Sequence, residues 1–172
     1  MMTTIIDNLA EIERQISHAC QQADRERKGV TLLAVSKTKP IEMIEQAYQV
    51  GQRAFGENYV QEGIEKIASL AKLIDIDWHF IGPIQSNKTQ QIANNFSWVH
   101  SIDRIKIAKR LNEHRSNQDT PLNVCLQVNI SGEASKSGVT IDQLPALAEY
   151  VQSCDNLQLR GLMAIPAKDA EQ

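Results

Sequence analysis

The sequence predicts an α/β fold in which parallel strands alternate with helices. Short apolar and β-branched runs recur along the 172 residues without the polar–apolar alternation of a strand that has one face in water. Such runs suit strands that are buried on both faces. Longer segments with apolar residues at helical spacing lie between them, and this strand–helix repetition requires right-handed parallel crossovers.

Six strands are predicted from the apolar runs. The first is apolar and β-branched throughout, and the fifth is the clearest. The predicted strands span residues 30–36, 53–56, 78–82, 98–102, 123–130 and 157–165. Six repeats suit an open doubly wound sheet, whereas a closed barrel needs eight strands, so the repeats alone leave the architecture open.

One helix is predicted before the first strand, and one after each of the first five strands. Pro40 stands near the start of the second helix, where its missing N–H is not needed. Asp103 is placed to cap the fifth helix. The predicted helices span residues 5–27, 41–50, 60–73, 89–94, 104–111 and 141–152.

Composition limits the classes of function. Lys plus Arg total 18 and Asp plus Glu total 21, so the net charge is −3, which is unlike the clustered positive charge of a nucleic-acid binder. The cysteines 20, 125 and 154 are too far apart to predict a zinc site or a disulfide framework. No apolar run approaches roughly 18 residues, and the charged N-terminus is unlike a secretory signal. We expect a cytoplasmic domain without a membrane partner.

The carboxyl ends of the strands are where such folds place functional groups, and Lys37 directly follows the first strand. Desolvation at the mouth of an apolar sheet favours the neutral form of an amine, and a second cation, Lys39, lies two residues on. A neutral amine beside a cation suits Schiff-base chemistry with an aldehyde. The alternative is an ordinary solvated lysine at the rim of the sheet, and spacing alone leaves both interpretations open.

Longer strings are more specific. They read LLAVSKTKP at 32–40, FGENYVQE at 55–62, WHFIGPIQSNK at 78–88, VHSID at 99–103, QVNIS at 127–131, SKSG at 135–138 and RGLMAIP at 160–166. In this order and register, and over essentially the whole chain, the sequence closely resembles the pyridoxal phosphate homeostasis protein family.

The resemblance implies a TIM (β/α)8 barrel of the alanine racemase N-terminal domain type. It implies that Lys37 holds pyridoxal 5′-phosphate (PLP) as a Schiff base, and that a monomeric protein stores the cofactor or delivers it to apoenzymes without a committed reaction. Two alternatives stay open: a PLP-dependent enzyme resembling an amino acid racemase, and a truncated remnant with weak cofactor binding.

The sequence departs from this family pattern after its sixth strand. We expect residues 1–172 to form a single PLP-binding barrel domain that lacks the last two βα units. The resemblance places the loops that hold the cofactor phosphate in those units, so cofactor affinity is expected to suffer.

Four further residues are candidates for the site. Asn58 is predicted to contact the cofactor or to cap the helix that follows it. His79 is predicted to contact the cofactor or to be a satisfied core histidine. Met163 is predicted to lie near the cofactor ring, although core packing alone would explain it. Lys136 is either a second amine for aldehyde capture or a solvated loop lysine.

Overall fold

The computed structural model describes residues 4–132 and 137–167. Its strands are β1 Ala34–Val35, β2 Ala54–Glu57, β3 Asp77–Phe80, β4 Trp98–Ile102, β5 Leu122–Gln127 and β6 Leu157–Met163. Its α-helices are α1 Ile5–Gln22, α2 Ile41–Gln49, α3 Val60–Ser69, α4 Thr89–Asn95, α5 Ile105–Arg115 and α6 Leu144–Gln152.

The six strands form one sheet in chain order, and every neighbouring pair is parallel. Each crossover between neighbouring strands carries a helix, as in the wall of a (β/α)8 barrel. The predicted α/β fold with a parallel sheet is therefore confirmed. Because all strands run the same way, their carboxyl ends meet at one edge of the sheet.

One face of the sheet packs against the helices and forms the core. Its strand residues are nearly inaccessible: Phe55, Phe80, Val99 and Val124 are each at most 1% exposed. The Phe80 ring packs edge-on against Phe96, with ring centroids 5.3 Å apart. Burial on this face accounts for alternate residues of the apolar runs in the sequence, because successive strand side chains point to opposite faces of the sheet.

The other face is more polar and more open. Here His79 stacks on Trp98, with ring centroids 5.2 Å apart, and the Arg160 guanidinium lies 5.4 Å from the centre of the Trp98 ring. Val35, whose register partner is Gly56, is 49% exposed. Val35 and Arg160 on this face therefore remain accessible, whereas His79 is only 7% exposed.

Several predicted boundaries are wrong for local reasons. α1 ends at Gln22 instead of residue 27, because the backbone turns at Asp24, whose φ is +50°. β1 is two residues long instead of seven, because the Leu32 carbonyl accepts a hydrogen bond from the side-chain amide of Gln52 and not from a neighbouring strand. Asp103 does not cap α5; its carboxylate accepts a hydrogen bond from Arg104 instead, at 2.7 Å.

Other elements differ at their C-terminal ends. α3 ends at Ser69, four residues early, whereas α5 continues to Arg115. β5 ends at Gln127, three residues early, where Val128 and Asn129 pair with Val139, and β6 ends at Met163, two residues early.

Within the described residues, no helix combines the length and apolar character that crossing a bilayer requires. The same residues contain no group of three or more histidine, cysteine, aspartate or glutamate side chains arranged to hold a metal ion.

Gly82 lets two strand ends approach closely. A Cβ at this position would lie 2.1 Å from the carbonyl oxygen of Asn58 and 2.8 Å from its carbonyl carbon. These are backbone atoms, so they cannot move aside without displacing the end of β2. Gly82 therefore sets the spacing at the edge that carries the candidate site.

We expect Gly82→Ala to destabilise the protein by about 2 kcal/mol, because overpacking must shift the backbone, and to lower Tm by about 4–8 °C. Thermal unfolding followed by circular dichroism measures this change. Gly29→Ala is the control, since a Cβ there would meet only a side-chain atom at 3.7 Å. Equal Tm values for the two variants would contradict the close approach.

Candidate functional site

Lys37 lies in a tight turn that directly follows β1. The Lys39 N–H donates to the Ser36 carbonyl at 3.1 Å and closes this turn over residues 36–39, with Lys37 as its second residue. Lys37 is exposed, and its side chain forms no hydrogen bond or ion pair within residues 4–132 and 137–167. The desolvation that the sequence predicts for Lys37 is therefore absent among the described residues.

Thr38, the third residue of the turn, has φ +61°. A positive φ at this position is typical of a type II turn, where glycine is usual. For a residue with a Cβ, the left-handed region costs roughly 1–2 kcal/mol, and such a conformation persists only where the surroundings hold it. The turn that carries Lys37 is therefore strained and needs an anchor.

A buried charged cluster supplies that anchor. It consists of Lys66 on α3 and two carboxylates, Glu57 at the end of β2 and Glu62 on the first turns of α3. The Lys66 ammonium donates to Glu57 Oε1 at 2.8 Å and to Glu62 Oε1 at 2.6 Å. The side chain of Lys66 is 6% exposed and that of Glu57 is 0% exposed. We call these three residues the Lys66 cluster.

The Lys66 cluster binds the turn on both sides of Lys37. Before Lys37, the Ser36 carbonyl accepts from Lys66 Nζ at 2.7 Å and the Ser36 hydroxyl donates to Glu57 Oε1 at 2.6 Å. After it, the Thr38 N–H donates to Glu62 Oε1 at 2.6 Å. Removing one partner from a buried ion pair costs about 3–5 kcal/mol, because the other charge stays buried without compensation.

The protonation of Glu62 matches this arrangement. Burial acts to raise the pKa of its carboxyl group, but the hydrogen bonds from Lys66 and from the Thr38 amide outweigh burial, and the pKa is lowered. Glu62 is therefore ionised at neutral pH and accepts both hydrogen bonds as a carboxylate.

Sequence reasoning missed the Lys66 cluster, although a signal was present. Gly63, Lys66 and Leu70 share one buried stripe of helix α3 and its C-cap, so a lysine occupies a core position. Glu62 precedes Lys66 by four residues, which is the spacing of a helical ion pair. A lysine in a buried stripe is rare unless it is paired, and this pattern could have marked the cluster.

Asn58 follows β2, the neighbour of β1, and so lies at the same edge as the Lys37 turn. The N-cap of α3 is Tyr59, without a side-chain cap, so the prediction that Asn58 caps this helix is wrong. Its Oδ1 is buried and has no hydrogen-bond partner among the described residues. Asn58 also lines a cleft of about 480 Å³ together with Tyr59 and Lys88. A ligand donor would reach this oxygen only after the atoms that cover it shift.

His79 lies on the open face and is paired with His100. A hydrogen bond of 2.8 Å joins His79 Nδ1 to His100 Nε2, so one ring donates and the other accepts. Burial, with a smaller effect of His100, lowers the pKa of His79 to about 3, and burial also lowers the pKa of His100. This pairing favours the interpretation of His79 as a satisfied histidine of the fold.

Met163 ends β6, opposite Gln127 in β5, and its carbonyl accepts from the Val128 N–H at 2.8 Å. β6 is the last strand in the order that begins with β1, and the position of Met163 near the cofactor ring stays a prediction. Lys136 lies outside the described residues.

Comparison with known proteins identifies the family. The alanine racemase N-terminal domain family matches residues 8–172. The chain is 59% identical over 165 residues to the pyridoxal phosphate homeostasis protein of Pasteurella multocida, covering 95% of this chain and 71% of the relative. It is 58% identical over 170 residues to the protein of that name from Pseudomonas aeruginosa, covering 99% of this chain and 74% of the relative.

A solved structure agrees with the sequence relatives. The structure of PipY from Synechococcus elongatus PCC7942 with PLP bound superposes with a TM-score of 0.76 at 35% sequence identity, covering 89% of this chain and 71% of PipY. The predicted family is thereby confirmed. The chain belongs to the pyridoxal phosphate homeostasis protein family and carries the alanine racemase N-terminal domain.

Proposed function

We propose that this chain binds PLP covalently through Lys37 and takes part in cofactor homeostasis without running a committed reaction. The observation that carries the proposal is the match to PipY, whose structure contains PLP. The shared name of the relatives from Pasteurella multocida and Pseudomonas aeruginosa supports the homeostatic role.

The residues at the sheet edge fit such a cofactor. Lys37 offers an exposed amine without a partner among the described residues, directly after β1. On the neighbouring strand end, Asn58 offers a buried amide oxygen that no described residue pairs with. An amine and a polar side chain on adjacent strand ends can hold an aldehyde-bearing ring from two sides.

The chemistry requires little of the protein. The cofactor supplies an aldehyde, whose carbon is open to attack by an amine. Lys37 Nζ forms the carbon–nitrogen double bond of a Schiff base, and the aldehyde oxygen leaves as water. Because the reverse reaction needs only water or a second amine, attachment through Lys37 keeps the aldehyde away from other amines and still allows release. We propose that PLP-dependent apoenzymes in the cytoplasm receive it.

Lys37→Ala should abolish the adduct that borohydride reduction traps, since the variant lacks the attacking amine. Intact-mass and peptide mass spectrometry after reduction in the presence of PLP measure the yield and its position. Lys39→Ala is the matched control, because it removes the other amine of the same turn and should leave the yield unchanged. An undiminished yield in Lys37→Ala would move the attachment to Lys39 or Lys136.

A racemase-like enzyme is the second candidate, since the domain is the one named for alanine racemase. Racemisation needs a base on each face of the bound amino acid, and we propose only Lys37 as a base beside the cofactor. We therefore expect no D-alanine above the level given by free PLP when the protein is incubated with PLP and L-alanine. Chiral chromatography makes this measurement, and D-alanine that disappears with Lys37→Ala would establish an enzyme.

We further propose that the chain acts as a monomer, because the turn that carries Lys37 is held by residues of its own chain. Light scattering at micromolar concentration should give the mass of one chain, with and without PLP. A stable two-chain mass would contradict this part of the proposal.

A further inference from the structure

Two lysines lie in the turn at residues 36–39, and each carries an amine that could attack an aldehyde. Lys37 and Lys39 are both exposed, and they lie two residues apart. Exposure therefore does not decide which amine reacts. What distinguishes them is the conformation of the turn, which gives each amine its own position at the sheet edge.

The hydrogen bonds of the Lys66 cluster hold the turn at residues 36–39 in its conformation. The Thr38 backbone, at φ +61°, is one that a β-branched residue rarely adopts without help. Its N–H is fixed by Glu62, while the carbonyl of Ser36 is fixed by Lys66. Lys37, which lies between them, is thus the residue whose backbone is held on both sides.

Lys66 itself is not a competing amine. Its ammonium has three N–H donors, and all three are used, on Ser36, Glu57 and Glu62. With its side chain 6% exposed, it has neither a free lone pair nor access to an aldehyde. Its contacts point to a role that acts through the backbone of the turn.

We propose that Lys66 is a positioning residue for Lys37: it locks the turn so that Lys37, and not Lys39, meets the cofactor aldehyde. This inference rests on the proposed function. Without the Lys66 ammonium, the carboxylates of Glu57 and Glu62 would face each other with nothing between them, since both now accept from the same nitrogen. Their repulsion, together with the strain at Thr38, would release the turn.

The test measures where PLP is attached. Wild type and variants are mixed with PLP, reduced with borohydride and mapped by peptide mass spectrometry, which gives the ratio of adduct on Lys37 to adduct on Lys39. This ratio reports the geometry of the turn, and a loss of global stability in a protein that is still folded would not change it. Circular dichroism confirms that each variant is folded.

Lys66→Met should lower the Lys37 to Lys39 ratio at least about tenfold, because the charge-assisted hydrogen bond to the Ser36 carbonyl is lost and Glu62, which holds the Thr38 N–H, loses its cationic partner. Lys66→Arg retains a cation with several donors and should restore most of the ratio. A folded Lys66→Met protein with the wild-type ratio would overturn the inference.

If Lys66→Met does not fold, a second pair of variants tests whether the Lys66 cluster positions Lys37. Glu62 is 29% exposed at its side chain, so Glu62→Ala removes the acceptor of the Thr38 N–H at smaller cost to the core. Glu65→Ala is the matched control on the same helix, since the side chain of Glu65 accepts a hydrogen bond from Gln61 and forms none with the turn. We expect a lower ratio for Glu62→Ala and a wild-type ratio for Glu65→Ala; equal ratios for the two would refute the inference.

The two proposals fail in different ways. If wild type gives no adduct on Lys37, the proposed function is wrong and the role of Lys66 falls with it. If wild type is labelled on Lys37 and the ratio is unchanged in both Lys66→Met and Glu62→Ala, attachment through Lys37 stands and only the positioning role is lost.

Discussion

Parallel pairing of successive strands is the constraint on which the site depends. Because all six strands run in the same direction, every strand delivers the residue after its carboxyl end to one edge of the sheet. Lys37 and Asn58 come from strands that are neighbours in the sheet, although 21 positions separate them in the chain. The helices on the other face bury the core and leave this edge free for chemistry. In each strand–helix unit, the packed strand and helix therefore provide stability, while the residues after the strand form the candidate site.

The Lys66 cluster shows how a buried charge can serve local geometry. Ion pairs in a protein interior give little net stability, because desolvation consumes most of the attraction between the charges. Here the same charges hold two backbone groups, the carbonyl of Ser36 and the N–H of Thr38, in a conformation that the sequence disfavours. Hydrophobic side chains of similar volume would fill the same space but could not form hydrogen bonds with these two backbone groups. The Lys66 cluster thus fixes the local conformation of the turn and contributes little to the free energy of folding.

The architecture was predictable because the apolar period is a strong signal, whereas boundaries depend on single contacts. The strand predicted at 30–36 is only two residues long, since the Gln52 side-chain amide donates a hydrogen bond to the Leu32 carbonyl. No pattern of apolar residues reveals such a contact. Lys37 stood out because strand ends carry function, and the family strings supplied the cofactor. Glu57 and Lys66 were missed because, in a sequence, a buried charged residue cannot be told from an exposed one. Only the fold brings these two residues, nine positions apart in the chain, into an ion pair. The role of Asn58 stayed open for the same reason: only the structure shows that its amide oxygen is unpaired.

The paired imidazoles of His79 and His100 have a consequence for the environment of the open face. An unperturbed histidine changes charge near pH 6.5, but both rings here are shifted towards lower pH. At neutral pH the pair therefore carries no charge, and these two rings add no new charge to this side of the sheet when the pH falls modestly below about 7. An anionic ligand on that surface would therefore gain no extra attraction from these two imidazoles under mildly acidic conditions.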